Sequence, residues 1–333
     1  MKLEKRILDF LEKNNCDPDT IESFPGDWGN RSYLRVMQGN TPRIIMVCKL
    51  EDTGTGLDEF KEIGEWLLEN GLSAPKIYNI ENGSDGNPTL VLLEDFGNTY
   101  CSDYKLMSQC IAAMQNISPL QTLPNFQDSP VYEGHRRVMD WYVPCYLKAK
   151  NDKDIVAHYL KIWNEIESSL PAPQLAFAHM DFHPANFMHL PEREGVKQCG
   201  ILDFQDGCIA PIAYDYTNLL KDIRKDVPQD IIDETLADAT HHMSETQKDS
   251  FIKWYKFLCL QFHFRLVGQV IKLSLVSNRH DLMGYQPRIT RYIRDELNDP
   301  LFKDLKDFFD GLNVKWTAED LDIDMKYIAR DAF

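Results

Sequence analysis

The stretch "HMDFHPAN", residues 179–186, packs two histidines, an aspartate and an asparagine into an otherwise apolar, proline-broken region. Three chemistries compete for it. His179, Asp181 and His183 are metal-ligand types, but zinc sites with paired histidines set them on one helical face or add a distant third ligand at a defined spacing, and Pro184 breaks any helix here. A turn in which Asp181 and Asn186 bond the backbone accounts for the spacing taken alone. The third reading is the working loop of an enzyme, and the surrounding chain decides between them.

A chain of 333 residues can bury a sizeable core and suggests two lobes. The apolar share of 43% and charged share of 26% are those of an ordinary globular protein, so disorder is not expected. The net charge of −16 repels phosphate backbones and anionic lipid, which removes nucleic acid and membrane surfaces from the expected partners and leaves a neutral or cationic small molecule. The eight cysteines are scattered with no CxxC pair and no secretory leader before them, as reduced buried thiols in a cytoplasmic protein would be. The opening "MKLEKRILDFLEKNN" reads as a charged amphipathic helix, and no run of about 18 apolar residues exists to span a membrane.

Up to about residue 95 the pattern predicts strand, strand, helix, strand, strand. The strands are expected at 32–38 and 43–50, joined by the "GNTP" turn, and in "KIYNIE" and "TLVLLED". Between the pairs, Leu57, Phe60, Ile63, Leu67 and Leu68 recur at helical spacing and Gly71 ends the run. Beyond "LLEDFGN" the chain turns mainly helical, with loops and short strands at 176–205 and aromatic-rich helices from 215 onward. A small mixed lobe (1–95) joined to a larger helical lobe (96–333) is the expected organisation.

The segment "GILDFQD" places Asp203 at the end of an apolar strand, 17 residues after Asn186. His-x-Asp, four residues, Asn, then a strand ending in Asp-Phe resembles the catalytic arrangement of the protein-kinase-like phosphotransferases. On that resemblance Asp181 accepts a hydrogen bond from the acceptor hydroxyl and takes its proton late. Asn186 and Asp203 supply hard oxygen ligands for Mg2+ bound jointly with the phosphates of ATP. His179 packs beneath the loop and fixes its backbone, and His183 is assigned to loop packing.

The chain further resembles the aminoglycoside phosphotransferase and choline kinase superfamily over nearly its whole length. "GLSAPKIY" is similar to that superfamily's helix-to-strand junction. "LLEDFGN" resembles its interlobe hinge, where backbone groups of Glu94 and Phe96 would meet the adenine. "APIAYDYTNLLKD" resembles the segment in which Asp215 braces the catalytic loop. The resemblance implies an α+β fold of two lobes, a small N-terminal antiparallel-sheet lobe for the nucleotide and a mainly helical C-terminal lobe for catalysis and acceptor. Within the superfamily "NRSYLRV", "DFQDGCIAPIAYD", "LQFHFRLVGQVIKL" and "YQPRITRYI" resemble bacterial N-acetylmuramate/N-acetylglucosamine kinases, which act on the anomeric hydroxyl in cell-wall sugar recycling.

Departures from the pattern matter. Met180 stands where a protein kinase carries arginine, no APE segment follows, and a protein substrate is not expected. No GxGxxG is present, so the turn "GDWGNRS" would cover the phosphates with Gly26, Gly29 and the amides near Asn30 and Ser32. Lys49 would reach the phosphates with Glu62 as its ion-pair partner, or else be an exposed lysine leaving a strand; Arg35 is a further phosphate candidate. Acceptor candidates by position are Asp206, Gln261, His263 and Arg265, against the alternative that "WYKFLCLQFHFRL" is only a buried aromatic helix. A bidentate arginine would suit a lactyl carboxylate. Two rival functions stand beside the amino-sugar kinase: a kinase for choline or an aminoglycoside, and a silent nucleotide-binding pseudokinase.

Overall fold

The amphipathic opening folds as helix α1 (Lys2–Lys13), which buries Phe10 and Leu11 against Cys16, Val36, Ile45, Val47, Leu90 and Leu92. Most of these partners belong to a five-stranded antiparallel sheet: β1 (Asp17–Ser23), β2 (Arg31–Gln38), β3 (Thr41–Cys48), β4 (Ile77–Glu81) and β5 (Thr89–Glu94), in the order β1-β2-β3-β5-β4. Residues 2–24, 31–48, 56–84, 87–319 and 321–329 are described by this computed structural model. The sequence pattern anticipates four of the strands. Strand β1 is additional: its residues DPDTIES lack apolar alternation because it is the outer strand, paired only with β2, and an edge position tolerates Pro18. Strand β5, hydrogen-bonded on both sides, buries every residue from Thr89 to Leu93, as a continuous apolar run should.

Helix α2 (Leu57–Glu69) lies between β3 and β4 in the chain and buries Phe60, Ile63, Gly64, Trp66 and Leu67. Helix α3 (Tyr104–Gln115) starts at Asp103, whose carboxylate accepts from the Leu106 amide, a cap worth about 1 kcal/mol.

By packing, the chain divides into two compact units: Met1–Thr122 with His179–Gly207, and Leu123–Ala178 with Cys208–Phe333. The expected boundary near residue 95 separates compositions along the chain, whereas packing assigns 179–207 to the sheet-bearing unit. Backbone bonds explain this assignment: Ile201 N–H donates to Ser73 O at 2.7 Å, Cys101 N–H to Phe187 O at 2.8 Å and His189 N–H to Thr99 O at 2.7 Å.

The second unit is mainly helical. It contains α4 (Val143–Leu147), α5 (Lys153–Ser169), a strand pair β6 (Leu175–Ala178) and β9 (Cys208–Pro211), then α6 (Tyr214–Leu220) and α7 (Gln229–Thr240). The 33-residue helix α8 (Glu245–Ser277), α9 (Gln286–Glu296) and α10 (Lys303–Gly311) complete it. A capping box between Ser244 and Gln247 starts α8, and Asn278 in the left-handed conformation ends it. A π turn over Val138–Tyr142 runs into α4, whose first turn carries Pro144. Among the described residues no helix is long and apolar enough to cross a membrane. All eight cysteines are free and buried.

His135 is buried in this unit, stacked on Trp163 at 4.1 Å with Nδ1 2.9 Å from the Tyr159 hydroxyl. Burial, aided by neighbouring Arg136, lowers its pKa to about 3. An unfolded imidazole titrates near 6.5, so the unfolded chain takes the proton first. Stability is therefore intact above about pH 6.5 and falls as the pH drops towards 3, by up to about 1.4 kcal/mol per pH unit from this residue. Urea denaturation at pH 7 and pH 5 checks it: the wild type should lose stability between the two, and His135→Phe, which keeps a ring on Trp163 but cannot ionise, should lose less.

Candidate active site

The loop 179–186 leaves no room for an α-helix, since Pro184 opens a short 3-10 turn (Pro184–Asn186) and Met180 has a φ of 76°. Strand β7 (Phe187–His189) follows and pairs with β8 (Cys199–Ile201), which delivers Asp203. Asp203 itself has a φ of 58°. Two non-glycine residues in the left-handed region, one in each segment, are strain of the kind that persists at working sites.

Two hydrogen bonds weld the two segments, and a third stiffens the loop itself. His179, fully buried, has Nε2 2.7 Å from Leu202 O, while its Nδ1 accepts from the Asp181 amide at 3.3 Å. This accounting assigns the proton to Nε2, and burial holds the imidazole pKa below its usual value. Leu202 N–H donates in turn to Asn186 O at 2.9 Å. Both backbone polar groups of the residue before Asp203 are thus held by the loop.

Asp181 and Asn186 meet directly. The Asn186 Nδ2 donates to Asp181 O at 3.0 Å and to Asp181 Oδ2 at 3.1 Å. His183 Nε2 lies 3.2 Å from the same Oδ2, and its Nδ1 accepts from the Ala185 amide at 3.3 Å. The buried His183 therefore orients the Asp181 carboxylate, which is 51% exposed. Because the Asn186 hydrogens are spent on Asp181, its Oδ1 is the atom left to act as a ligand. Asp203 Oδ1 accepts from Gln205 Nε2 at 2.8 Å. One amide oxygen and one carboxylate are a hard-oxygen set that fits Mg2+ shared with phosphates, which needs only one or two side chains. Among the described residues no three His, Cys, Asp or Glu side chains gather as metal ligands.

Asp206, three residues on, is open to solvent, yet surrounding protein atoms and then the charge of Asp203 push its carboxyl pKa up, with Asp181 and Glu59 adding and Arg31 opposing. Phe204 stacks on Phe60 of α2 at 4.9 Å, which ties this segment to the helix.

The segment 92–98, expected as the hinge, lies in the same unit. Phe96 packs with Met188 and Leu190, and a Cβ on Gly200 would come within 2.8 Å of its ring, so glycine there permits the close approach. Glu94 accepts from Arg193 Nη2 at 2.5 Å and from the Lys76 amide at 3.3 Å. Arg35 is committed elsewhere than to a phosphate: its Nε and Nη2 grip both oxygens of Asp95 at 2.5 and 2.9 Å, and Nη2 also donates to Gly97 O. The partners are 60 residues apart, and nothing local in the sequence pairs them.

Ser32 is exposed and stands opposite Val47 in the β2–β3 register. Glu62 is also exposed and accepts from the Thr122 hydroxyl at 2.9 Å. Gly26, Gly29, Asn30 and Lys49 lie outside the described residues.

In the second unit Asp215 is fully buried on α6; after burial itself, its charge raises the Cys208 thiol to about 12. Gln261 is buried and donates to Tyr132 O at 2.7 Å, while His263 is fixed between Glu296, at 2.9 Å, and Lys221 O, at 3.1 Å. Both are internal ties of α8. Arg265 differs: its Nε is buried without a hydrogen-bond partner among the described residues. Burial and then the charge of Arg265 lower the pKa of nearby Arg137, which Asp140 partly offsets.

A profile of the phosphotransferase enzyme family matches residues 20–248. The N-acetylmuramate/N-acetylglucosamine kinase of Caulobacter vibrioides is 25% identical over 90% of this chain and 94% of its own. The protein of that name from Pseudomonas aeruginosa is 23% identical over 83% of each chain. Among solved structures, a Plasmodium vivax ethanolamine kinase superposes with a TM-score of 0.59 at 13% identity, covering 90% of this chain and 88% of its own. The GDP complex of aminoglycoside 2'-phosphotransferase-IIIa gives 0.58 at 15% identity, covering 92% and 99%. These structural likenesses establish the protein-kinase-like fold.

Proposed function

Because the chain belongs to the phosphotransferase enzyme family, we propose that it is an ATP-dependent kinase that phosphorylates a hydroxyl of an N-acetylated amino sugar, of the N-acetylmuramate/N-acetylglucosamine type. The observation that carries the chemistry is the contact of Asn186 with the Asp181 carboxylate, in a loop bonded on both sides of Leu202 to the segment bearing Asp203. Asp181 holds the acceptor hydroxyl in line and receives its proton late. Asn186 Oδ1 and the Asp203 carboxylate would hold Mg2+, which when bound neutralises charge on the transferring phosphoryl group. His179 and His183 keep the loop and the Asp181 carboxylate in place.

We assign nucleotide binding to lobe 1–95 and catalysis and acceptor recognition to 96–333. Backbone groups of Glu94 and Phe96 receive the adenine, and the turn containing Gly29, Asn30 and Ser32 covers the phosphates. Asp215, as brace of the loop, completes the proposed set. Asp206 and Arg265 are the acceptor-side candidates, Gln261 being committed to Tyr132 O inside its own unit. The eight buried thiols support a reducing, cytoplasmic setting.

An acceptor panel coupled to ADP release tests the reading. N-acetylmuramate and N-acetylglucosamine should be turned over, and choline, ethanolamine and aminoglycosides should not. Turnover of the cationic set alone replaces the sugar with an amino-bearing acceptor, and no ADP release with any of them leaves the nucleotide-binding module. In the same assay Arg265→Gln should raise KM for N-acetylmuramate roughly 10- to 100-fold, the value of a charge-assisted hydrogen bond, and leave N-acetylglucosamine nearly unchanged.

A further inference from the structure

We infer that Arg31, the first residue of β2, is the cation that grips the nucleotide's phosphates, in the role expected of Lys49, and that Tyr33 orients it. The inference rests on the reading of this site as nucleotide-binding. Arg31 stands opposite Cys48, the last residue of β3, at the end of the sheet from which the chain leads towards α2. Tyr33 is two residues along the same strand and so shares its face.

The guanidinium reaches the segment that carries the metal aspartate. Its Cζ lies 5.9 Å from the centre of the Phe60 ring, which stacks on Phe204, the neighbour of Asp203. A Cβ on Gly56, where φ is 87°, would lie 3.0 Å from Arg31 Nη2 and 3.2 Å from Gln205 Cγ. The arginine and Gln205 thus flank a single point that only glycine leaves open. Gln205 in turn bonds Asp203. The electrostatics agree with this placement: Arg31 hydrogen-bonds the Tyr33 side chain and lowers the Asp206 carboxyl, while Asp203 lies close enough to raise Tyr33, whose pKa burial first of all pushes up to about 12.

Asp181, Asp203, Asp206 and Glu59 share this electrostatic environment, so a polyphosphate arriving there meets several like charges. A planar guanidinium offers two parallel donors to phosphate oxygens and stays charged at any working pH, which a lysine ammonium matches only as a point charge. Arg31 thereby serves two partners in turn, the carboxylates when the site is empty and the phosphates when the nucleotide is bound.

Calorimetric binding of MgATP and of adenosine to the full chain tests this without an acceptor. Arg31→Gln should weaken MgATP by 10- to 100-fold and leave adenosine unchanged. Arg31→Lys should fall between, Tyr33→Phe should weaken MgATP severalfold, and Lys49→Met should lose less than Arg31→Gln. Thermal unfolding of each variant runs alongside. A lower unfolding temperature for Arg31→Gln with MgATP affinity intact means the arginine only balances carboxylates, and the inference fails. A larger loss for Lys49→Met than for Arg31→Gln overturns it equally. If the wild type binds neither probe, the nucleotide-binding reading itself falls, an outcome distinct from both.

Discussion

Asp181→Asn should lower phosphoryl transfer about 10²- to 10⁴-fold, the usual contribution of a positioned proton acceptor, with MgATP affinity retained. Asparagine copies the shape of the carboxylate, and its amide oxygen can still take the hydrogen bonds that Asn186 and His183 give to Oδ2. What disappears is the charge that accepts the hydroxyl proton. Single-turnover rates on the best acceptor of the panel, measured beside nucleotide binding, separate these effects. A rate within threefold of the wild type would remove Asp181 from the chemistry.

Asp203→Asn is expected to cost roughly 10³-fold or more in kcat/KM and to move the Mg2+ requirement at least tenfold upward, as loss of several kcal/mol of metal-borne charge stabilisation implies. Asparagine is the informative replacement because, like aspartate, it tolerates the left-handed backbone found here at φ 58°. An alanine variant would mix backbone strain with the loss of a ligand. Titrating Mg2+ at fixed ATP reads the effect, and an unaltered titration curve would assign the metal to other residues.

The loop and the strand ending in Asp203 were legible because their chemistry is local: residue types at fixed spacing, with Pro184 ruling out a helix. Four strands of the sheet declared themselves as short apolar runs between turn signals, and the long helix by its aromatic-rich stretch. Strand β1 did not, because an edge strand made of Asp, Pro, Thr, Glu and Ser carries no apolar alternation, and only its pairing with β2 identifies it. Arg35 illustrates a second limit. Its partner Asp95 is remote in sequence, so an arginine near the turn expected to cover the phosphates looks like a ligand until the chain is folded. Arg31 is the converse case, a residue next to that same turn whose reach to Phe60, Gly56 and Gln205 is purely tertiary. The acceptor side is the least legible part. Gln261 and His263 occupy helical positions that would suit a ligand equally well, and burial commits them to Tyr132, Glu296 and Lys221.

The pinning of Leu202 has a kinetic meaning. With its amide held by Asn186 and its carbonyl by His179, the loop of Asp181 and the turn of Asp203 form one mechanical part. The entropy of aligning them is lost during folding, so under the proposed function a nucleotide would meet a preset frame and its binding energy would be left to order the phosphates alone.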